Sequence, residues 1–256
     1  MKMKSGKKAL KITGVIPARY ASTRFEGKPL AMILGKPMIY YVYQQAKRSK
    51  ILDDVIVATD DERIKKCVEG FGGKVFMTAA SHQTGTDRIA EVAGRIDSDI
   101  IVNVQGDEPL LHPDMITQVA RPIMDDAEVN VVTLMSRIAE AADFVDITNV
   151  KVVVDTASNV LFMSRSPIPY PKTRQDYCAY KQIGMYAFKR DYLIRFAGIK
   201  QTPLELVEGV ELLRVVENGQ KLRAVLTEHR TFSVDTLSDL FEVTKIMKKQ
   251  NAKIKS

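Results

Sequence analysis

The first half of the chain alternates short apolar runs with stretches of helical period, and this alternation constrains the fold more than any other feature. Residues 12–16, 54–58, 74–77 and 99–104 are β-branched or apolar runs of strand length. Between them lie helical patterns. One opens at Pro37 and runs to about Lys50, with Met38, Val42 and Ala46 on one stripe. A second spans 62–70, capped by Asp60 or Asp61 and stopped by Gly72-Gly73. A third spans 87–96, and a fourth opens at Pro113 and reaches about Met124. A repeat of strand and helix at this spacing predicts an α/β fold, a doubly wound and mostly parallel sheet.

The second half changes character. Runs at 129–136, 150–155 and 160–164 are β-branched with short links, which predicts antiparallel pairing, and 183–188 adds a strand. The pattern then gives a helix over 204–219, a strand over 222–227 and a terminal helix over 236–249 capped by Asp235 or Thr236. Residues 167–180 are rich in proline and charge and read as a loop or lid. No repeat or low-complexity tract appears, so the expected organisation is one domain, 1–256. It divides into a first half (12–128), a second half (129–235) carrying a β-rich insertion, and a C-terminal helix with a basic tail (236–256).

The net charge of +7 raises the question of nucleic acid, but lysines at both chain ends carry much of the excess. Aromatic and basic residues are not interleaved as stacking platforms require, so nucleic acid is not an expected partner. An anionic small-molecule pair suits a positive site equally well. Cys67 and Cys178 form no C-x-x-C, which points to a reducing, cytoplasmic setting. The apolar stretch after the basic N-terminus is interrupted by Pro17 and Arg19 and is too short for a signal core or membrane span.

Chemistry concentrates where predicted strands end. Residues 15–30 read VIPARYASTRFEGKPL: a strand, then a loop carrying Arg19, Arg24 and Lys28 among the small residues Ala18, Ala21, Ser22, Thr23 and Gly27. Small side chains let backbone approach phosphate, and the cations supply counter-charge. A nucleoside triphosphate is the expected ligand. The stretch is neither a P-loop nor a dinucleotide fingerprint, since G-x-x-x-x-G-K-[ST] and G-x-G-x-x-G are both missing. Asp60, Gln105 and Asp107 also follow strand ends, where open α/β sheets bind ligands.

Asp107, in Gln105-Gly106-Asp107-Glu108-Pro109, is placed to hold a divalent cation or simply to make a turn. Asp235, in Ser233-Val234-Asp235-Thr236, is either its partner carboxylate or a plain helix cap. The block Thr84-Gly85-Thr86-Asp87-Arg88 opens a helix. Its hydroxyls and N–H groups can contact a nucleotide or close a capping box. His82, His112 and His229 show no metal-ligand spacing.

Six blocks in order, the loop at 15–30, VATDDERI at 57–64, HQTGTDR at 82–88, VNVQGDEPL at 102–110, SRSPIP at 164–169 and VDT at 234–236, resemble the sugar nucleotidyltransferases. More narrowly, the chain is similar to the 3-deoxy-manno-octulosonate (Kdo) cytidylyltransferases. The resemblance implies a Rossmann-like fold of the nucleotide-diphospho-sugar transferase type and transfer of CMP from CTP to the anomeric hydroxyl of Kdo, giving CMP-Kdo and pyrophosphate, for lipopolysaccharide or capsule synthesis. It implies Mg²⁺ on Asp107 and Asp235, with Arg19, Lys28 and Asp107 serving catalysis. Ala18, Arg19, Ser22, Lys28, Thr84, Gly85, Thr86 and Arg88 would contact the nucleotide. Gln105, Arg165, Gln182, Tyr186 and Glu211 would contact the sugar acid, although Tyr186 alternatively reads as core and Glu211 as a solvated helix face. The resemblance also makes 12–128 the nucleotide-binding half and 129–235 the acceptor-binding half, and implies a homodimer formed through the latter.

Two positions depart from the family pattern. Gln182 stands where histidine is usual and Leu212 where glutamine is usual, both at positions expected to face the acid. A site built to hydrogen-bond a hydroxyl discriminates strongly. A related 2-keto-3-deoxy sugar acid such as 8-amino-Kdo therefore stands as an alternative acceptor; an inactive nucleotide-binding regulator is a second alternative, against which the intact Arg19, Lys28, Asp107 and Asp235 speak.

Overall fold

The structure is a computed structural model describing residues 9–21, 25–173 and 177–255, with side chains described through residue 250. Ser22 and Arg24, both expected near the phosphates, lie outside the described residues.

The first half forms β1 (Ile12–Ala18), a 3-10 turn (Lys28–Leu30), a small hairpin of β2 (Met32–Ile33) and β3 (Lys36–Pro37), and α1 (Met38–Lys47). It continues through β4 (Asp54–Thr59), α2 (Glu62–Gly70), β5 (Lys74–Met77), α3 (Gly85–Arg95), β6 (Ile100–Asn103) and α4 (Pro113–Asp125). The second half comprises β7 (Val131–Arg137), α5 (Ala141–Val145), β8 (Lys151–Val154), β9 (Val160–Ser164) and β10 (Tyr180–Lys189). It closes with α6 (Arg190–Ala197), α7 (Pro203–Glu208), α8 (Leu213–Glu217), β11 (Arg223–Leu226) and α9 (Leu237–Lys255).

One sheet runs through both halves in the order β11-β7-β10-β6-β1-β4-β5. β1 pairs parallel with β4 and β6, β4 with β5, and β11 with β7. β10 enters antiparallel between β6 and β7 and joins the halves at Tyr186↔Asn103 and Tyr186↔Thr133. The antiparallel β8–β9 pair attaches at the Tyr180 end of β10. The β-rich stretch is thus mostly a continuation of the main sheet rather than a separate layer.

The strands are apolar on both faces because helices cover both. Ile12, Ile16, Val55, Val57, Ile100 and Val102 face a layer built from α1, α2 and α4. Val15, Ile56, Ala58 and Ile101 face a layer built from α3, α6 and α8. Each fully buried side chain of this size contributes about 1.5–3 kcal/mol of transfer free energy. A third, smaller cluster packs Val234, Val243 and Met247 against Ile33 and Met38. That cluster docks the start of α9 beside the 3-10 turn and so brings Asp235 to the C-terminal edge of the sheet.

The structure corrects several expected elements. The helix expected over 204–219 is broken into α7 and α8, because Gly209 takes a left-handed conformation (φ 61°) that glycine adopts without steric cost. The helix expected from Asp87 begins at Gly85, behind Thr84. α6 was not legible at all. Asp61, not Asp60, caps α2 by accepting from Arg63 N at 2.8 Å.

Candidate active site

The carboxyl ends of β1 and β6, the start of α3 and the start of α9 enclose a cleft of about 310 Å³. Gly106 is required where β1 and β6 end. A Cβ there would lie 2.7 Å from the Pro17 carbonyl oxygen, inside any real contact distance. Gly85 lets the start of α3 lie close to Pro17, whose ring a Cβ there would meet tightly, at 3.3 Å. These two glycines let three chain segments converge without side chains in the way.

Of the residues predicted from sequence, Ala18, Arg19, Lys28, Thr84, Gly85, Arg88, Gln105, Asp107 and Asp235 line this cleft. Tyr20 anchors the loop that carries Arg19. Its carbonyl accepts from Gly27 N at 2.9 Å, and the Arg63 guanidinium, paired with Asp61, stacks 3.3 Å from the Tyr20 ring centroid. The 3-10 turn then directs Lys28 inward. Its ammonium donates to Asp107 Oδ2 at 2.8 Å and Asp235 Oδ1 at 3.2 Å.

The two carboxylates face each other because Val234 N donates to the Asp107 carbonyl at 2.9 Å, tying the two segments together. Asp235 does not cap α9. Thr236 and Asp239 do so reciprocally, with Thr236 N donating to Asp239 Oδ2 at 2.8 Å and Asp239 N to Thr236 Oγ1 at 3.3 Å. Asp239 also accepts from Asp235 N at 3.0 Å, which leaves the Asp235 carboxylate turned to the cleft. Two carboxylates from separate segments reaching one point form an oxygen-only donor pair of the kind Mg²⁺ takes alongside phosphate oxygens.

At the other wall, Thr84 and Asp87 form a complete capping box, so that block does cap α3. Arg88 is buried, paired with Asp60 at 3.1 Å and donating to Thr78 Oγ1 at 2.5 Å. Thr86 is buried too and does not line the cleft. Its hydroxyl donates to Glu211 Oε2 at 2.5 Å. Burial pushes the Glu211 carboxyl up, and the Thr86 hydroxyl opposes that shift.

Of the residues expected at the sugar acid, Gln105 lines the cleft and Gln182, Tyr186 and Glu211 do not. Gln105 Nε2 donates to the Gly184 carbonyl at 2.7 Å, which orients its amide. Gln182 Nε2 donates to Tyr186 Oη at 3.3 Å. Burial raises the Tyr186 phenol above its ordinary range, with the Glu211 and Glu108 carboxylates adding to the shift. Glu108 is a feature sequence reasoning missed. Its carboxyl is buried, and burial followed by the neighbouring Asp107 charge pushes it up to about 8. The only sequence signal was a second acid directly after Asp107.

Two expectations are relocated. Arg165 does not line the cleft. Its guanidinium donates to the carbonyls of Glu208 (2.7 Å), Ile147 (2.9 Å) and Gly209 (3.3 Å), which closes the corner after α7. Leu212 is wholly buried in the core and faces no cleft. The histidines also differ from expectation. The His112 and His229 rings stack with centroids 3.9 Å apart, and with Asp114 they bring three possible ligand atoms within 4.8 Å of one another. His112 Nδ1 is engaged as the cap of α4, accepting from Asp114 N at 3.3 Å.

A doubly wound sheet with cations, paired carboxylates and a helix start at its carboxyl edge is the place where such folds receive a nucleotide or another anionic ligand. The family model for cytidylyltransferases matches residues 13–222. The chain belongs to the cytidylyltransferase family. It is 50% identical over 245 residues to the 3-deoxy-manno-octulosonate cytidylyltransferase of Geobacter metallireducens, covering 91% of this chain and 96% of that protein. It is 44% identical over 246 residues to the protein of that name from Fusobacterium nucleatum, covering 96% and 100%. Among solved structures, a CMP:2-keto-3-deoxy-manno-octonic acid synthetase complexed with CTP superposes with a TM-score of 0.90 at 40% identity, covering 94% of this chain and 99% of that one. The 4-diphosphocytidyl-2C-methyl-D-erythritol synthase of Anaerococcus prevotii shares the fold at 15% identity, with a TM-score of 0.64 and coverage of 94% and 100%.

Proposed function

We propose that the protein transfers CMP from CTP to the anomeric hydroxyl of Kdo, giving CMP-Kdo and pyrophosphate. The observation that carries this reading is the meeting of Asp107 and Asp235 at one point beside Arg19 and Lys28. The names of the close relatives and of the CTP-bound neighbour support the substrates.

In this reading Arg19 and Lys28 bind the triphosphate and offset the charge that builds on the departing pyrophosphate. Ala18, Ser22, Thr84, Gly85 and Arg88 contact the nucleotide, Arg88 doing so from its fixed position on Asp60. Gln105, Gln182, Tyr186 and Glu211 receive the sugar acid, with Gln105 held by Gly184. Thr86 acts through Glu211. The acceptor oxygen forms a bond to the α-phosphorus, the bond from that phosphorus to the bridging oxygen of pyrophosphate breaks, and the hydroxyl proton leaves to solvent. Asp107 and Asp235 would hold Mg²⁺, which when bound would supply positive charge and lower the pKa of the attacking hydroxyl. Arg165 shapes the acceptor side by closing the α7 corner.

The same reading takes the protein as a cytoplasmic homodimer. Two free cysteines support a reducing compartment, and among the described residues no helix is long and apolar enough to cross a membrane. Exposed Val145, Ile147, Leu206 and Val207 lie around the Arg165 corner and give the second half an apolar face for a second copy. The deciding test is pyrophosphate release with CTP, Mg²⁺ and Kdo, 8-amino-Kdo or a nonulosonate as acceptor. Release with Kdo, abolished by Asp107→Ala in a folded variant, is the expected result. Release only with another acid would move the substrate, and silence on all three would refute the reading.

A further inference from the structure

The Lys28 ammonium stands between the two carboxylates that the proposed function assigns to Mg²⁺, at 2.8 Å from one and 3.2 Å from the other. It is largely shielded from solvent, as is the Asp107 carboxylate it contacts. An ammonium and a divalent ion cannot occupy the same point, and each repels the other strongly at such distances. Without some cation there, two facing carboxylates would repel each other.

The backbone supports this arrangement independently of Lys28. The Val234–Asp107 hydrogen bond sets the facing of the carboxylates, and the Thr236–Asp239 caps keep Asp235 out of helix capping. Lys28 itself sits at the start of a 3-10 turn directly after Gly27, whose φ of 68° marks a bend in the chain. Its flexible stem lets the charge move to a phosphate oxygen within the same cleft.

We propose that Lys28 is a resident counter-ion that keeps divalent metal out of the free enzyme and yields the site when a triphosphate draws its ammonium away. Metal and nucleotide then enter together, and each raises the affinity for the other, as linkage requires. This rests on the reading of Asp107 and Asp235 as metal ligands. It gives Lys28 a role before chemistry, in addition to phosphate binding during it.

The test titrates Mn²⁺ into nucleotide-free protein and reads free Mn²⁺ by electron paramagnetic resonance. Lys28→Met, with Lys28→Gln as a second variant, should bind Mn²⁺ about tenfold or more tightly than the unmodified protein. Arg19→Met removes one positive charge from the same cleft but not from between the carboxylates, and should gain less than about threefold. Adding Asp107→Asn to Lys28→Met should abolish the gain. Circular dichroism establishes that each variant is folded. Equal Mn²⁺ affinity in the Lys28 variants and the unmodified protein, or an equal gain in Arg19→Met, overturns the proposal. The metal reading is judged separately, by CTP affinity at saturating Mn²⁺. A loss of about tenfold in Asp107→Asn keeps that reading even where the Lys28 proposal fails. No loss removes both.

Discussion

Gly106→Ala offers the sharpest test of how the cleft is built. The added Cβ would sit 2.7 Å from the Pro17 carbonyl oxygen, about 0.7 Å inside ordinary van der Waals contact. The obstacle is backbone and not the end of a flexible side chain, so the carboxyl ends of β1 and β6 must separate. Overpacking of this kind costs about 1–3 kcal/mol, and for a chain of this size each kcal/mol lowers Tm by about 2–4 °C. The displaced segments carry Arg19 on one side and Asp107 on the other. A shift approaching 1 Å in reacting groups costs about a hundredfold in rate. Calorimetry and the pyrophosphate-release assay should therefore show a modest loss of stability and a disproportionate loss of kcat. Gly94→Ala is the control, since it lies in α3 with nothing within 4 Å of its Cβ. It should gain up to about 1 kcal/mol. Unchanged kcat and Tm in Gly106→Ala would refute the reasoning.

Two further predictions concern buried charge. The Glu108 carboxyl titrates near 8 in the folded chain and near 4.5 when exposed, so the folded state holds its proton more tightly. Its contribution is full below about pH 4.5 and is lost as pH rises to about 8, with a slope of at most about 1.4 kcal/mol per pH unit. Urea unfolding at pH 5 and pH 8 should show Glu108→Gln losing less stability over that interval than the unmodified protein; equal losses would count against it. Glu205→Gln should destabilise by about 3–5 kcal/mol, because it leaves Arg214 buried without its counter-charge. In the intact protein Arg214 meets Glu205 at 2.5 and 2.7 Å, with both side chains almost fully buried. A change under about 1 kcal/mol in urea unfolding would show that water reaches the pair.

The alternation of strands and helices up to residue 124, the loop cations and the Gln105–Asp107 turn were all legible in the sequence. They arise from local causes: hydrophobic period, glycine and proline placement, and the rule that ligands gather past strand ends. Asp107 and Asp235 were each identifiable as candidates, yet each had a bland local reading as turn or cap. Tertiary packing alone took the capping role from Asp235, by docking α9 on the β2–β3 hairpin and giving that role to Thr236 and Asp239, while Asp107 keeps its place in the turn after β6. The same holds for the insertion of β10 between β6 and β7, the spending of Arg165 on three carbonyls, the burial of Leu212 and Glu108, and the stacking of His112 on His229. Each depends on a partner distant in the chain, and contacts across such separations leave no periodic trace in the residues that make them. The sequence by itself determined which groups could do the chemistry; the tertiary structure decided which of them meet.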